Sequence, residues 1–255
     1  LSQFYGIELD DFAHEVAILS LWLAEHQMNM DFEAEFGSCK PTLPLQSGGS
    51  IFSGNSALID WQEVVPNTND MTYLIGNPPY LGSRRQTEEQ KEDLKAIFKK
   101  DYKSLDYISI WFKKGAEFIN QRIAKVAFVS TNSVFQGEQV ALLWPRILKD
   151  DIEIEFAYSD FKWQNSAKHN AAVIVAIVGL SKADNITTKK IYDKDYFRIV
   201  SNITPYLTEG NTHYIKTKYE PISEIPEMNF GNMPADGGKL LLTKPERDEI
   251  LLREP

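Results

Sequence analysis

The residues best placed to do chemistry are Asn77-Pro78-Pro79-Tyr80. They follow a short apolar run, Tyr73-Leu74-Ile75, which reads as a buried strand that stops at Gly76. Two adjacent prolines fix two φ angles and remove two backbone N–H donors. Asn77 precedes a proline and is pushed out of the α region into an extended conformation. The expected product is a stiff, donor-poor turn at a strand end, with carbonyl oxygens and one amide free to face a pocket. Such a turn suits a ligand that is itself a hydrogen-bond donor, an amino group above all. Asn-Pro and Pro-Pro are also ordinary loop punctuation, so the setting decides between the two readings.

The elements that position the turn come next. Gln3 to Leu9 reads as a short parallel strand running into an acidic turn with Glu8, and Asp10 or Asp11 caps the helix that follows. In that helix Phe12, Val16, Leu19 and Leu23 form one apolar stripe, and its end is expected near Gln27 or Asn29. Phe32 to Gly49 reads as loop, Ile51-Phe52 as a short strand, and Ser53 to Leu58 as the turn after it. Beyond the proline turn, Gly82 to Thr87 reads as a polar, mobile loop and Glu88 to Lys100 as a charged helix. Leu105 to Arg122 reads as an apolar helix, Lys125 to Ser130 as a buried strand, and Gln136 to Lys149 as a helix that Pro145 kinks or breaks. Ile152 to Tyr158 alternates as a half-buried strand does, and Ala171 to Gly179 is a continuous apolar strand.

This alternation predicts a doubly wound α/β sheet, in which ligands bind beyond the carboxyl ends of the strands. Glu8, Asn55 and Asn77 all fall at or just past strand ends, so they are expected to converge on one edge. After Ser181 the composition changes. Lys189 to Ile203 shows no clear period, Thr204 to Gly238 is proline- and glycine-rich, and Lys244 to Arg253 starts a helix. The division expected is 1–181 as the α/β domain and 182–255 as a loop-rich extension.

The 255 residues carry a net charge of −9, which argues against a basic nucleic-acid clamp over the whole chain. Between Arg84 and Lys103, however, basic residues outnumber acidic ones. The single cysteine, Cys39, excludes an internal disulfide framework and a cysteine-rich metal site. No apolar run approaches the roughly 20 residues of a membrane span, and a cytoplasmic location is expected. The chain does not begin with Met and enters a strand at once, as a piece of a longer protein does.

On these residues the chain resembles the amino-type, S-adenosylmethionine-dependent DNA methyltransferases of the N6-adenine group. Within them it is most similar to the methyltransferase portion of combined type II restriction–modification enzymes. The resemblance covers roughly residues 3 to 180 and extends into the Ile222–Leu242 connector. Tyr5-Gly6-Ile7-Glu8-Leu9-Asp10 resembles the second family motif, Gly54-Asn55-Ser56-Ala57-Leu58 the third, and Asn77-Pro78-Pro79-Tyr80 the catalytic motif in full. Val126 to Asn132 and Asn170 to Gly179 resemble later motifs.

The resemblance implies a Rossmann-like methyltransferase sheet that binds S-adenosylmethionine and methylates the N6 amine of an adenine flipped out of double-stranded DNA. It implies that Asn77, Pro78, Pro79 and Tyr80 are catalytic and that Glu8, Asn55 and Asn77 contact the cofactor. Tyr80, with Trp163 or His169, would wall the base pocket, and Arg84, Arg85 and Lys168 would meet phosphates. The family's first motif, which cradles the methionine end of the cofactor, should precede Phe4. The sheet is therefore expected to be truncated at its N-terminal strand, and the chain alone to bind cofactor weakly or not at all. The 182–255 extension then leads toward a target-recognition domain. Methylation of a glutamine amide or an RNA guanine amine uses the same turn, because each presents a planar NH2. A non-catalytic module on the same fold is the alternative from another class.

Overall fold

The computed structural model describes residues 1–38, 50–162, 174–183, 188–194, 196–218, 220, 223–224 and 241–253. Strand β1 (Tyr5–Glu8) leads into helix α1 (Asp11–Phe36), capped by Asp10, whose carboxylate accepts from the Ala13 N–H at 2.8 Å. Strand β2 (Ser50–Ser53) returns parallel to β1, and these two form a sheet of their own. The short helix α2 (Trp61–Val64) precedes strand β3 (Thr72–Gly76). Helices α3 (Glu88–Phe98) and α4 (Ser109–Gln121) follow, then strand β4 (Ala124–Thr131), helix α5 (Gly137–Ile147) and strands β5 (Ile152–Lys162), β6 (Ile174–Lys182), β7 (Lys189–Asp193) and β8 (Tyr196–Val200). The second sheet has six strands in the order β3-β4-β6-β5-β7-β8. β3 runs parallel to β4, and β6 is inserted antiparallel between β4 and β5. The result is a mixed α/β fold rather than an all-parallel one.

The core lies where α4 packs on β4 and α5 packs on α4. Every second residue of β4 is buried, as a strand covered on one face requires. Phe112 of α4 meets Phe128 of β4 edge-on at 5.6 Å and Trp144 of α5 at 5.3 Å. The Trp144 indole N–H is satisfied by the Val134 carbonyl at 2.7 Å. Gly115 allows α4 to approach the sheet, since a Cβ there would stand 2.9 Å from Val126 Cγ1. Pro145 does not break α5, which continues through it to Ile147.

Several expectations are corrected. The run Tyr73-Leu74-Ile75 is not buried: β3 is an edge strand, and Tyr73 and Ile75 are 70% and 81% exposed. α1 runs on to Phe36, ended by Gly37 in the left-handed region. Its stripe of Phe12, Val16, Leu19 and Leu23 is exposed and not core, because α1 packs chiefly on β1 and β2. Gly82 to Thr87 contains an ordered 3-10 turn, Ser83–Arg85, beside buried Gln86. The aperiodic Lys189–Ile203 stretch is the β7–β8 hairpin. The α4 helix starts at Ser109, after a bonded turn at Asp106–Ile108. Within 32–49, residues 39–49, Cys39 among them, lie outside the described residues, as do 163–173 and most of the 222–242 connector.

Leu1–Ile215 forms one compact unit and Lys216–Pro255 another. In the second, helix α6 (Lys244–Arg253) is exposed throughout. No helix among the described residues is long and apolar enough to cross a membrane.

Truncating the centre of the core should be costly and truncating the α1 stripe should not. Trp144→Ala is expected to lose about 3–5 kcal/mol of unfolding free energy. Phe12→Ala should stay within about 0.5 kcal/mol. Urea denaturation of both variants checks the contrast.

Candidate active site

The proline turn stands at the carboxyl end of β3. Asn77 is exposed and, among the described residues, its side chain makes no hydrogen bond; Pro78 is buried, and Tyr80 is half-buried against the core. The turn has little means of fastening itself, so its hold comes from the next residue. The Leu81 N–H donates to Asp106 Oδ1 at 2.9 Å. The Leu81 carbonyl accepts from Gln86 Nε2 at 2.8 Å and from the Tyr107 N–H at 3.1 Å. Gln86 also donates to the Leu105 carbonyl, tying the 3-10 turn to the start of α4. Asp106 is buried; its Oδ1 accepts from the Ile108 N–H as well, and its own N–H donates to Gln139 of α5. Burial pushes the Asp106 carboxyl above the usual carboxylate range, opposed by the N–H groups of Ile108 and Leu81 and by the Ser133 hydroxyl.

The second group of residues surrounds β1 and β2. Glu8 ends β1, and one of its carboxylate oxygens is held by the N–H groups of Leu9 and Asp10 at 2.9 and 3.1 Å. Among the described residues its other oxygen is unengaged and open to hydroxyl donors. The Gly54 N–H donates to the Glu8 carbonyl at 2.8 Å, so the turn after β2 is fastened to the end of β1. Gly54 has φ +149°, and a Cβ there would stand 2.6 Å from Ile59 Cδ1, so the position requires glycine. Asn55 Oδ1 accepts from the Ala57 N–H at 2.9 Å, and Nδ2 donates to Asp93 Oδ2 on α3 at 3.1 Å. Trp61 Nε1 donates to the Ser56 carbonyl. Lys114 of α4 donates to the carbonyls of Ala57 and Ile59 and lies over the Trp61 ring at 5.1 Å. Burial lowers the Lys114 pKa to about 8, against the raising pull of Asp60 and Glu117.

The expected convergence of Glu8, Asn55 and Asn77 on one sheet edge is therefore replaced by a different arrangement. Glu8 ends a strand of the small sheet, Asn55 lies in the turn after that sheet's other strand, and Asn77 follows the edge strand of the large one. What joins them is the Asp106-Tyr107 pair: Tyr107 grips Leu81 through its N–H, and its hydroxyl donates to Asp93 Oδ2 at 2.6 Å, the oxygen that also holds Asn55. Arg84 and Arg85 are exposed on the 3-10 turn, without an ion pair among the described residues. Trp163, Lys168 and His169 lie outside the described residues.

Sequence reasoning passed over Gln86, Asp93, Tyr107 and Lys114. Asp93 carried no signal, being one acid among many on a charged helix. A separate cavity of about 560 Å³ lies at the β5, β7 and β8 end of the sheet, lined by Phe135, Ser159, Asp193, Tyr196 and Tyr206 among others. Among the described residues no expected site residue lines it. Among the described residues no group of His, Cys, Asp and Glu could hold a metal ion.

Two measurements test this construction. Asp106→Ala leaves the Leu81 and Ile108 N–H groups unpaired and should cost roughly 2–4 kcal/mol, with Asp106→Asn costing less; denaturant midpoints report both. For Lys114 the folded pKa of about 8 lies below its usual 10.5. Between those values the unfolded chain holds more protons, so this group's contribution to stability rises with pH. The stability of wild type relative to Lys114→Met should increase from about pH 8 to about pH 10; a constant difference contradicts the assignment.

With the geometry in place, comparison with known proteins is informative. Residues 1–193 match the family described as MmeI, DNA-methyltransferase domain. Residues 209–255 match the one described as MmeI, target recognition domain. DNA methyltransferase A of Bacillus subtilis (strain 168) is 50% identical over 259 residues, an alignment that covers 100% of this chain and 30% of that protein. The type IIL restriction-modification enzyme MmeI, solved in complex with DNA, is 38% identical with a TM-score of 0.84, over 100% of this chain and 35% of that one. The chain thus spans about a third of the length of these relatives.

Proposed function

The chain belongs to the MmeI DNA-methyltransferase domain family, and on that premise we propose that, as part of a longer protein and not alone, it takes part in transfer of a methyl group from S-adenosylmethionine to the N6 amine of adenine in double-stranded DNA. The observation that carries the reading is the clamped Asn77–Tyr80 turn: an exposed, unengaged amide beside a carbonyl, held rigidly through Leu81. The family relationship favours DNA over a glutamine amide or an RNA guanine as the bearer of the amine. The same relationship supports 182–255 as the path from the methyltransferase unit into target recognition. It also supports a role within a restriction–modification protein, working in the cytoplasm where DNA is accessible.

The residues fit the cofactor. Glu8 offers one free carboxylate oxygen, suited to ribose hydroxyls in the way the acid of a dinucleotide site is. Asn55 offers a half-buried amide, suited to the adenine base of the cofactor. S-adenosylmethionine, when bound, supplies an already activated methyl group.

The protein's own residues then position the acceptor. The lone pair of an adenine amine is delocalised into the ring, which makes it a poor nucleophile. The Asn77 side-chain oxygen and the Pro78 carbonyl each accept one N–H of that amine. Two acceptors in fixed geometry turn the lone pair toward the methyl group, and positioning does most of the catalytic work. No strong base is required beforehand, because the amine gives up its proton after it becomes cationic. Tyr80, one face packed on the core, stacks its other face on the extruded base. Trp163 or His169 supplies the opposite wall. Arg84, Arg85 and Lys168 meet backbone phosphates, which orient the strand without reading its sequence.

A radiolabel assay on the full-length protein tests the reading, with DNA, RNA and protein offered side by side. Label should enter DNA adenine. Asn77→Ala should reduce transfer by at least about 100-fold while cofactor affinity changes little. Near-normal turnover in that variant refutes the catalytic role of the turn.

A further inference from the structure

We propose that Asp93 sets the cofactor's base specificity by locking the orientation of the Asn55 amide. The inference rests on the reading that Asn55 faces the base of the cofactor. Asn55 is constrained from both sides. Its Oδ1 takes the Ala57 N–H at 2.9 Å, and its Nδ2 donates to Asp93 Oδ2 at 3.1 Å. Turning the amide over would set its carbonyl against a carboxylate and its NH2 against an N–H. Both contacts would become repulsive, so the polarity of this amide is decided chemically.

Asp93 is itself held. It is buried, and the same Oδ2 accepts the Tyr107 hydroxyl at 2.6 Å. Burial, reinforced by Asp93, keeps the Tyr107 hydroxyl protonated and therefore a donor at every ordinary pH. Asn55 is left with one lone pair on Oδ1 and one proton on Nδ2, on a half-buried residue. A locked acceptor–donor pair is complementary to the amino group of adenine and its adjoining ring nitrogen. A 6-oxo purine presents the reverse order, an acceptor where adenine donates. Asp93 touches neither ligand; it is a positioning residue. Through Tyr107, whose N–H grips Leu81, the lock is continuous with the hold on the catalytic turn.

The test compares binding of S-adenosylhomocysteine and S-inosylhomocysteine to the full-length protein by calorimetry. Wild type should prefer the adenosyl form by about tenfold or more. Asp93→Ala should bring the two within about threefold. Asp93→Asn should restore the preference, because its amide oxygen can take both donors in place of Oδ2. A fully retained preference in folded Asp93→Ala overturns the proposal while leaving Asn55 as the contact, provided Asn55→Ala abolishes discrimination. Absence of discrimination in wild type, with affinity unchanged in Asn55→Ala, overturns the placement of Asn55 at the base and the proposal with it. Should Asp93→Ala fail to fold, side-chain amide exchange in wild type decides. The Asn55 NH2 should exchange more slowly than exposed asparagine amides, and exchange at their rate overturns the lock.

Discussion

A turn built on two prolines has given up the backbone donors by which turns usually hold themselves, and the rest of the site depends on how that deficit is met. The answer lies at Leu81. Its N–H enters the Asp106 carboxylate and its carbonyl receives Gln86 and Tyr107. Asp106 is in turn anchored to α5 through Gln139, and Gln86 to the start of α4 through Leu105. Because these groups are largely removed from water, each bond is strong and each missing partner would be expensive. The prolines stiffen the turn and the buried network aims it.

The other half of the site is organised by the same helix. α4 carries Lys114, which fastens the carbonyls of the Gly54–Asp60 turn, and is preceded by Asp106 and Tyr107, which fasten the proline turn through Leu81. Its inner face is also the centre of the core, through Phe112 and Gly115 against Phe128 and Val126. One tightly packed element therefore indexes both turns. That matters for a transfer reaction, in which donor and acceptor must be held in a common frame and small displacements cost rate.

The two sheets are separate. Glu8 ends β1 of the small one, with Asn55 in the turn after β2, and Asn77 follows the edge strand of the six-stranded one. The exposed faces of α1 and of β3 are consequences of that division: both elements border open sides of their sheets, so their apolar residues meet solvent in this chain. Their patterns still read as core patterns, which is why the sequence led to burial.

Local chemistry was legible directly. The proline turn, the capping aspartate before α1, the glycine after β2, the alternating strands and the helices from Glu88 to Ile147 all follow from side-chain periodicity and backbone restriction, which act over a few residues. Partner choice was not legible. Nothing in the order of residues says that Asp93 meets Asn55, that Lys114 reaches Ala57, that Tyr107 spans two turns, or that the aperiodic 189–200 stretch closes as a hairpin. Those pairings join positions separated by up to several tens of residues, and burial selects them by demanding a partner for each polar group removed from water. The sequence by itself determined the donor-poor proline turn and the polar residues at the strand ends. The tertiary structure decided which side chains hold those atoms still.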